Sequence, residues 1–94
     1  MSERIVTVVP EAGLHARPAA KFVETVNEHE ADVRVAPADG DDDLVAAGSM
    51  IAITSLGVES GDGVRIVAEG EDAHEALDAL ETVLTTPEDE LTNA

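Results

Sequence analysis

Glycine, histidine, arginine and proline stand together in Gly13-Leu14-His15-Ala16-Arg17-Pro18-Ala19-Ala20, at a point where a turn hands over to a helix. The apolar residues Ala19, Phe22, Val23 and Val26 fall at i, i+3, i+4 and i+7, which predicts an amphipathic helix from Ala16 to Asn27. Lys21, Glu24, Thr25 and Glu28 are expected on its far side. His15 therefore precedes a helix whose first-turn amides lack intrahelical acceptors and whose dipole is positive at that end, a place suited to an anion. Gly13 lets the loop bend tightly, and Pro18 is tolerated because a first-turn amide has no bond to lose. Arg17 adds a charged fork that matches phosphate. These positive groups favour a neutral imidazole before reaction and stabilise the negative charge it acquires if a phosphoryl group lands on a ring nitrogen. The chemistry implied is a nucleophilic histidine rather than a metal ligand. The residues alone leave a plainer alternative open, a histidine that only caps the helix or decorates the surface.

Other residue types offer less. Ser49 in Gly48-Ser49-Met50-Ile51-Ala52-Ile53-Thr54-Ser55-Leu56-Gly57 is a good N-cap, with Gly57 a good stop, so a short helix is expected between them. Such a helix cannot bury Met50, Ile51, Ile53 and Leu56 on one stripe, so some of them are expected to be exposed. Asp39, Asp41, Asp42 and Asp43 read as a solvated acidic turn, because they lack the ligand order and closing glutamate of a calcium loop. His29 and His74 are assigned to solvent, and His74-Glu75 does not continue into a second histidine at zinc-binding spacing. No glycine-rich phosphate loop or serine-hydrolase elbow occurs, and no metal or cofactor is expected.

The elements that must position these groups alternate. Arg4 to Val9 is a β-branched strand with Val6 and Val8 on one face and Ile5, Thr7 and Val9 on the other. Asp32-Val33-Arg34-Val35 and Leu44-Val45-Ala46-Ala47 read as a hairpin across the Asp39-Gly40 turn. Gly61-Asp62-Gly63 turns into a strand over Val64–Ala68, and Gly70-Glu71-Asp72 precedes a helix with Ala73, Ala76, Leu77, Leu80, Val83 and Leu84 on one stripe. The order β-α-β-β-α-β-α, with singly striped helices beside alternating strands, implies an α+β sandwich of one sheet with helices on one face. Residues 1–86 are expected to form one domain, and 87–94 a flexible acidic tail.

Ninety-four residues suffice for a single core. With 21 acidic against 5 basic residues the formal charge is -16, a surface that repels nucleic-acid backbones and anionic lipid heads. Phe22 is the sole aromatic, which argues against stacking on bases. Cysteine is absent, removing disulfides, thiolate nucleophiles and cysteine-type zinc sites. No apolar stretch approaches a membrane span, and Met1-Ser2-Glu3-Arg4 leads directly into a strand-like segment without a signal-peptide core, so a cytoplasmic location is expected. Sparse lysine with dispersed acid suggests adaptation to a salty cytoplasm, where a Debye length near ~3 Å at ~1 M salt screens the carboxylates from one another. An ordinary acidic mesophilic domain is the competing reading.

The stretch Gly13-Leu14-His15-Ala16-Arg17-Pro18-Ala19 resembles the active-site signature of HPr, the histidine-containing phosphocarrier family of the phosphoenolpyruvate-dependent sugar phosphotransferase system. Gly48 to Val58 is similar to that family's second signature around a regulatory serine, and Gly61-Asp62-Gly63 through Ala73 to its final strand and helix start. The resemblance runs from about Ile5 to Leu84 and implies an open-faced β-sandwich, a four-stranded antiparallel sheet with three helices on one face. It implies that His15 accepts a phosphoryl group on Nδ1, not Nε2, from phosphorylated enzyme I and passes it to an enzyme IIA component, with Arg17 steadying the phosphate. Such a protein is a carrier acted on by partner phosphotransferases, not an independent catalyst. Ala16, Lys21, Met50 and Ile51 would then contact partners while Ile53 and Leu56 face the core, and Ser49 would be the target of an HPr kinase; a monomer is expected. The charges depart from the family pattern, since many members surround the active site with lysines whereas the helix from Ala16 carries Glu24 and Glu28 and the one after Ser49 has no basic residue; the Asp39–Asp43 loop is also longer than usual. Three other readings stay open: a carrier for a dihydroxyacetone-kinase chain, a regulator working through Ser49, and a small ligand-binding module.

Overall fold

β-Branched residues at alternate positions and apolar residues at helical spacing separate the chain into seven elements. They are β1 (Ser2–Thr7), α1 (Ala16–Asn27), β2 (Asp32–Pro37), β3 (Val45–Ala46), α2 (Met50–Ser55), β4 (Gly63–Glu69) and α3 (Ala73–Thr85). The computed structural model describes residues 2–11, 13–14, 16–38 and 44–86, with the backbone alone for Ala16. His15, the Asp39–Asp43 turn and the expected tail over 87–94 lie outside the described residues.

The strands form one antiparallel sheet in the order β1-β4-β2-β3. Its register sets inward-facing residues side by side: Val6 opposite Val64, Val35 opposite Ile66, and Val33 opposite Ala68. One slip by a single residue would turn this whole set to water. All six are buried, and the helices cover them on one face: α1 contributes Ala19, Phe22 and Val26, α2 contributes Ile53, and α3 contributes Ala73, Ala76, Leu77, Leu80, Val83 and Leu84. The predicted stripe of α3 is thus buried at every position. Phe22 is fully enclosed, and burial of such a side chain contributes roughly 1.5–3 kcal/mol. The opposite face of the sheet is open, with Ile5 63% exposed.

Two departures from the sequence reading have local causes. β1 pairs from Ser2 to Thr7 rather than from Arg4 to Val9, because beyond Thr7 the chain leaves the ladder: Val8 N–H donates to Asp62 O at 2.9 Å and Val9 N–H to Leu84 O at 2.8 Å. Thr25, expected on the polar face of α1, is buried; its hydroxyl donates to Lys21 O at 2.8 Å, so the helix itself satisfies the only polar atom the side chain brings inside.

Charged side chains fasten the layers at their margins. Arg4 Nη1 donates to Asp78 Oδ1 at 2.7 Å and to Glu81 Oε1 at 3.0 Å, tying the edge strand β1 to α3. The same bond holds the Asp78 carboxyl below its ordinary pKa and raises that of Arg4. Asp72, just before α3, accepts the Glu30 amide at 3.0 Å and the Ala31 amide at 2.8 Å, stapling the exit of α1 to the start of α3. These two amide bonds, the Glu30 bond foremost, hold its carboxyl below the usual aspartate value, with His29 adding a smaller attraction.

Candidate functional site

Pro10, itself buried, turns the chain out of the first strand, and Gly13 N–H donates to its carbonyl at 2.9 Å. Gly13 has φ +72°, and a Cβ there would lie 2.6 Å from both Glu59 Cα and Val58 O. Two backbones therefore touch at this point, and only glycine permits both the left-handed conformation and the approach. Leu14 follows, fully buried, its N–H donating to Val58 O at 3.0 Å. The chain is thus fixed up to the residue before His15. On the other side α1 begins at Ala16, with Pro18 and Ala19 buried beneath it and Arg17 exposed.

The electrostatics of this corner differ from those of the rest of the molecule. The first turn of α1 carries no acidic residue, so nothing within it offsets the partial positive charge of about +0.5 at a helix N-terminus. Arg17 adds a full positive charge there, in a chain of net charge -16. An exposed cation beside first-turn amides can hold a dianionic phosphoryl group without a deep cavity. Lys21 lies one turn further along α1, with Nζ 3.8 Å from Glu24 Oε1, so part of its charge is already answered within the helix.

The second signature folds as its residue types dictate. Ser49 caps α2, its Oγ accepting the Ala52 N–H at 3.3 Å, and Gly57 follows the helix at φ +68°. Ile53 is fully buried and Leu56 packs against the core, while Met50 is 38% and Ile51 79% exposed. That is the division the family resemblance implied. α2 rests on α1.

Three features had no sequence signal strong enough to be read. The contact of Gly13 with Val58 and Glu59 joins segments more than forty residues apart. His29, assigned to solvent, is half-buried just past the end of α1, with Nδ1 2.8 Å from Thr25 O; since a carbonyl only accepts, the bond places the proton on Nδ1. His74 is exposed as expected. A hollow of about 450 Å³ among the described residues lies on the open face of the sheet, between Glu3, Arg34, Arg65 and Glu69, on the opposite side from the helices. Among the described residues no group of three or more His, Asp or Glu is placed to hold a metal ion.

The family model described as "PTS HPr component phosphorylation site" matches residues 2–86. The chain belongs to the PTS-HPr family. HPr proteins are phosphocarriers of the phosphotransferase system, so this chain is a carrier with phosphotransfer partners and not a catalyst in its own right. Family membership favours that reading over a ligand-binding module. The chain is 65% identical over 86 residues to the phosphocarrier protein HPr of Haloferax volcanii, covering 92% of this chain and 96% of that one. That relative fits the salt-adapted reading of the composition. A multiphosphoryl transfer protein of Haemophilus influenzae is 40% identical over 82 residues, which are 87% of this chain and 16% of that protein. Among solved structures, HPr from Bacillus anthracis superposes with TM-score 0.81 at 38% identity, covering 88% of this chain and 95% of that chain. HPr-C-His from Thermoanaerobacter tengcongensis gives 0.82 at 35% identity, covering 100% and 98%. Both agree with the open-faced sheet and three helices described above.

Proposed function

We propose that His15 accepts a phosphoryl group on Nδ1 from the phosphohistidine of enzyme I and passes it to a histidine of an enzyme IIA component in a sugar phosphotransferase system. The observation that supports this most is the seat on either side of position 15: a backbone held at Gly13 and Leu14, then a helix N-terminus bearing an exposed Arg17. In the first transfer the donor's N–P bond breaks as a bond forms from phosphorus to Nδ1, whose lone pair is available when the ring proton sits on Nε2. No net proton need be moved between imidazoles, so alignment and charge stabilisation carry the step. Arg17 and the first-turn amides of α1 answer the added charge; a partner imidazole, brought in line, takes the group onward.

Ala16, Lys21, Met50 and Ile51 form the docking surface in this reading. Exposed apolar side chains on α2 suit it, because a strongly acidic carrier at high salt gains little from long-range charge steering and more from desolvating apolar area. Ser49 is both the α2 cap and a phosphorylation target for an HPr kinase. A phosphate there replaces one acceptor oxygen by another at the helix N-terminus, yet places charge beside Met50 and Ile51, so it weakens partner binding more than folding. The carrier works as a cytoplasmic monomer. A chase experiment tests the direction of flow: label from phosphoenolpyruvate, loaded through enzyme I in molar KCl, is expected first on this chain and then on added enzyme IIA. Label that remains on enzyme I in the presence of folded chain contradicts the proposal.

A further inference from the structure

The residues that hold the site from below belong to the turn between α2 and β4. We infer that Asp62 is a positioning residue for phosphoryl transfer, acting through the 58–62 turn on the backbone that delivers His15. Asp62 Oδ2 accepts the Glu59 N–H at 2.9 Å, and Asp62 N–H donates to Glu59 O at 3.0 Å, so this one residue closes the turn from both its side chain and its backbone. The closed turn is bound to the chain leaving β1: Val8 N–H donates to Asp62 O at 2.9 Å, Gly61 N–H to Val8 O at 2.8 Å, and Ser60 Oγ to Val9 O at 3.2 Å.

The opposite side of that turn is the seat of the site. Val58 O receives the Leu14 N–H at 3.0 Å, and Val58 O with Glu59 Cα leaves no room for a side chain at Gly13. Glu59 is thus gripped by Asp62 through its amide and presses on Gly13 through its Cα. A shift of Glu59 is felt by Gly13 through direct backbone contact, and a shift of Val58 by Leu14 through the 3.0 Å bond to its carbonyl. α1 cannot follow the shift, because Pro18, Ala19 and Phe22 are locked in the core. Loss of the Asp62 carboxylate therefore loosens the support under Gly13 and Leu14, the backbone that leads to position 15. In-line transfer is sensitive to this, since misplacement by about 1 Å costs on the order of a hundredfold in rate.

Asp72 supplies an internal control. It too is a carboxylate held by backbone amides, two where Asp62 has one, but it staples Glu30 and Ala31 to the start of α3, at the end of α1 remote from Arg17. The inference rests on His15 being the phosphoryl acceptor, and the experiment separates the two claims. Steady-state phosphorylation by cognate enzyme I and phosphoenolpyruvate in molar KCl is compared for the parent, His15→Ala, Asp62→Ala, Asp62→Asn and Asp72→Ala, each checked for folding by circular dichroism.

Asp62→Ala is expected to lower kcat by about tenfold or more with KM changed less than about twofold, the signature of lost alignment without lost docking. Asp62→Asn, whose amide oxygen accepts the same bond, is expected to recover to within about threefold of the parent, and Asp72→Ala to transfer at the parent's rate. Should Asp62→Ala not fold, Asp62→Glu keeps the charge but moves the acceptor by one methylene, and a kcat lowered by about threefold or more is expected. Folded Asp62→Ala at the parent's kcat, or Asp72→Ala slowed as much as Asp62→Ala, overturns the role of Asp62. A parent that takes no phosphate, or a His15→Ala that takes as much as the parent, overturns the acceptor itself instead.

Discussion

Replacing Gly13 by alanine tests the seat of the site against a built-in comparison, Gly57→Ala. Both glycines lie in the left-handed region, at φ +72° and +68°. An L-residue there costs roughly 1–2 kcal/mol whatever surrounds it. At Gly57 nothing lies within 4 Å of the new Cβ, so the conformational term stands alone. At Gly13 the Cβ would fall 2.6 Å from Glu59 Cα and Val58 O, about 0.8 Å inside the 3.4 Å where ordinary contact begins, and both atoms are backbone. Overpacking of that kind costs a further ~1–3 kcal/mol. Gly13→Ala is therefore expected to lose about 2–5 kcal/mol, and Gly57→Ala about 1–2. Urea unfolding in molar KCl, followed by circular dichroism, reads both from the midpoint and slope. The displaced backbone also leads to His15, so Gly13→Ala is expected to transfer phosphate about tenfold or more slowly even where it is folded, and Gly57→Ala at nearly the parent's rate. Equal destabilisation of the two variants would refute the reasoning, because it would mean that the turn at Val58 and Glu59 does not constrain Gly13.

Ser49→Ala removes the acceptor of the Ala52 amide and is expected to lower stability by ~1 kcal/mol in the same urea assay; no loss would show that the 3.3 Å bond contributes nothing. Acid should unfold the protein partly through Asp72 and Asp78, whose carboxyls are depressed by the Glu30 amide and by Arg4 respectively. The unfolded chain binds protons first as pH falls through about 4, so their contribution is complete above that value and disappears as pH drops through the lower folded values. In molar KCl, where charge repulsion is screened, the urea midpoint of Asp72→Asn/Asp78→Asn should fall less between neutral pH and about pH 3 than that of the parent; parallel curves contradict the assignment. The net charge of -16 predicts that the far-ultraviolet signal weakens when KCl is dialysed to millimolar levels and returns on adding it, and an unchanged spectrum argues for an ordinary acidic domain.

How much of this was visible in the sequence depended on the range of the interaction. The stripe of α3 and the cap at Ser49 are set by neighbours within a turn or two, and each was read from spacing alone. The limited stripe of a six-residue helix required some apolar residues of α2 to be exposed, and the family resemblance, not the spacing, singled out Met50 and Ile51. Thr25 was misread because residue type marks it as polar, whereas its hydroxyl is satisfied by the helix backbone and the residue is buried. His29 was misread for a similar reason, since its bond to Thr25 O depends on where α1 ends. The end of β1 and the supports of Gly13 depend on Leu84, Val58, Glu59 and Asp62, which come into place only when the sheet and helices assemble. A glycine requirement at position 13 was legible; the backbone that imposes it was not.

The acceptor residue is the claim on which the rest depends, and intact mass reads it directly. The chain is incubated with phosphoenolpyruvate and cognate enzyme I in molar KCl, then weighed before and after brief acid treatment, for the parent, His15→Ala and Ser49→Ala. An acid-labile phosphoryl adduct on the parent and on Ser49→Ala, absent from folded His15→Ala, is the predicted result. An adduct that persists in His15→Ala, or one stable to acid and lost with Ser49, contradicts the account.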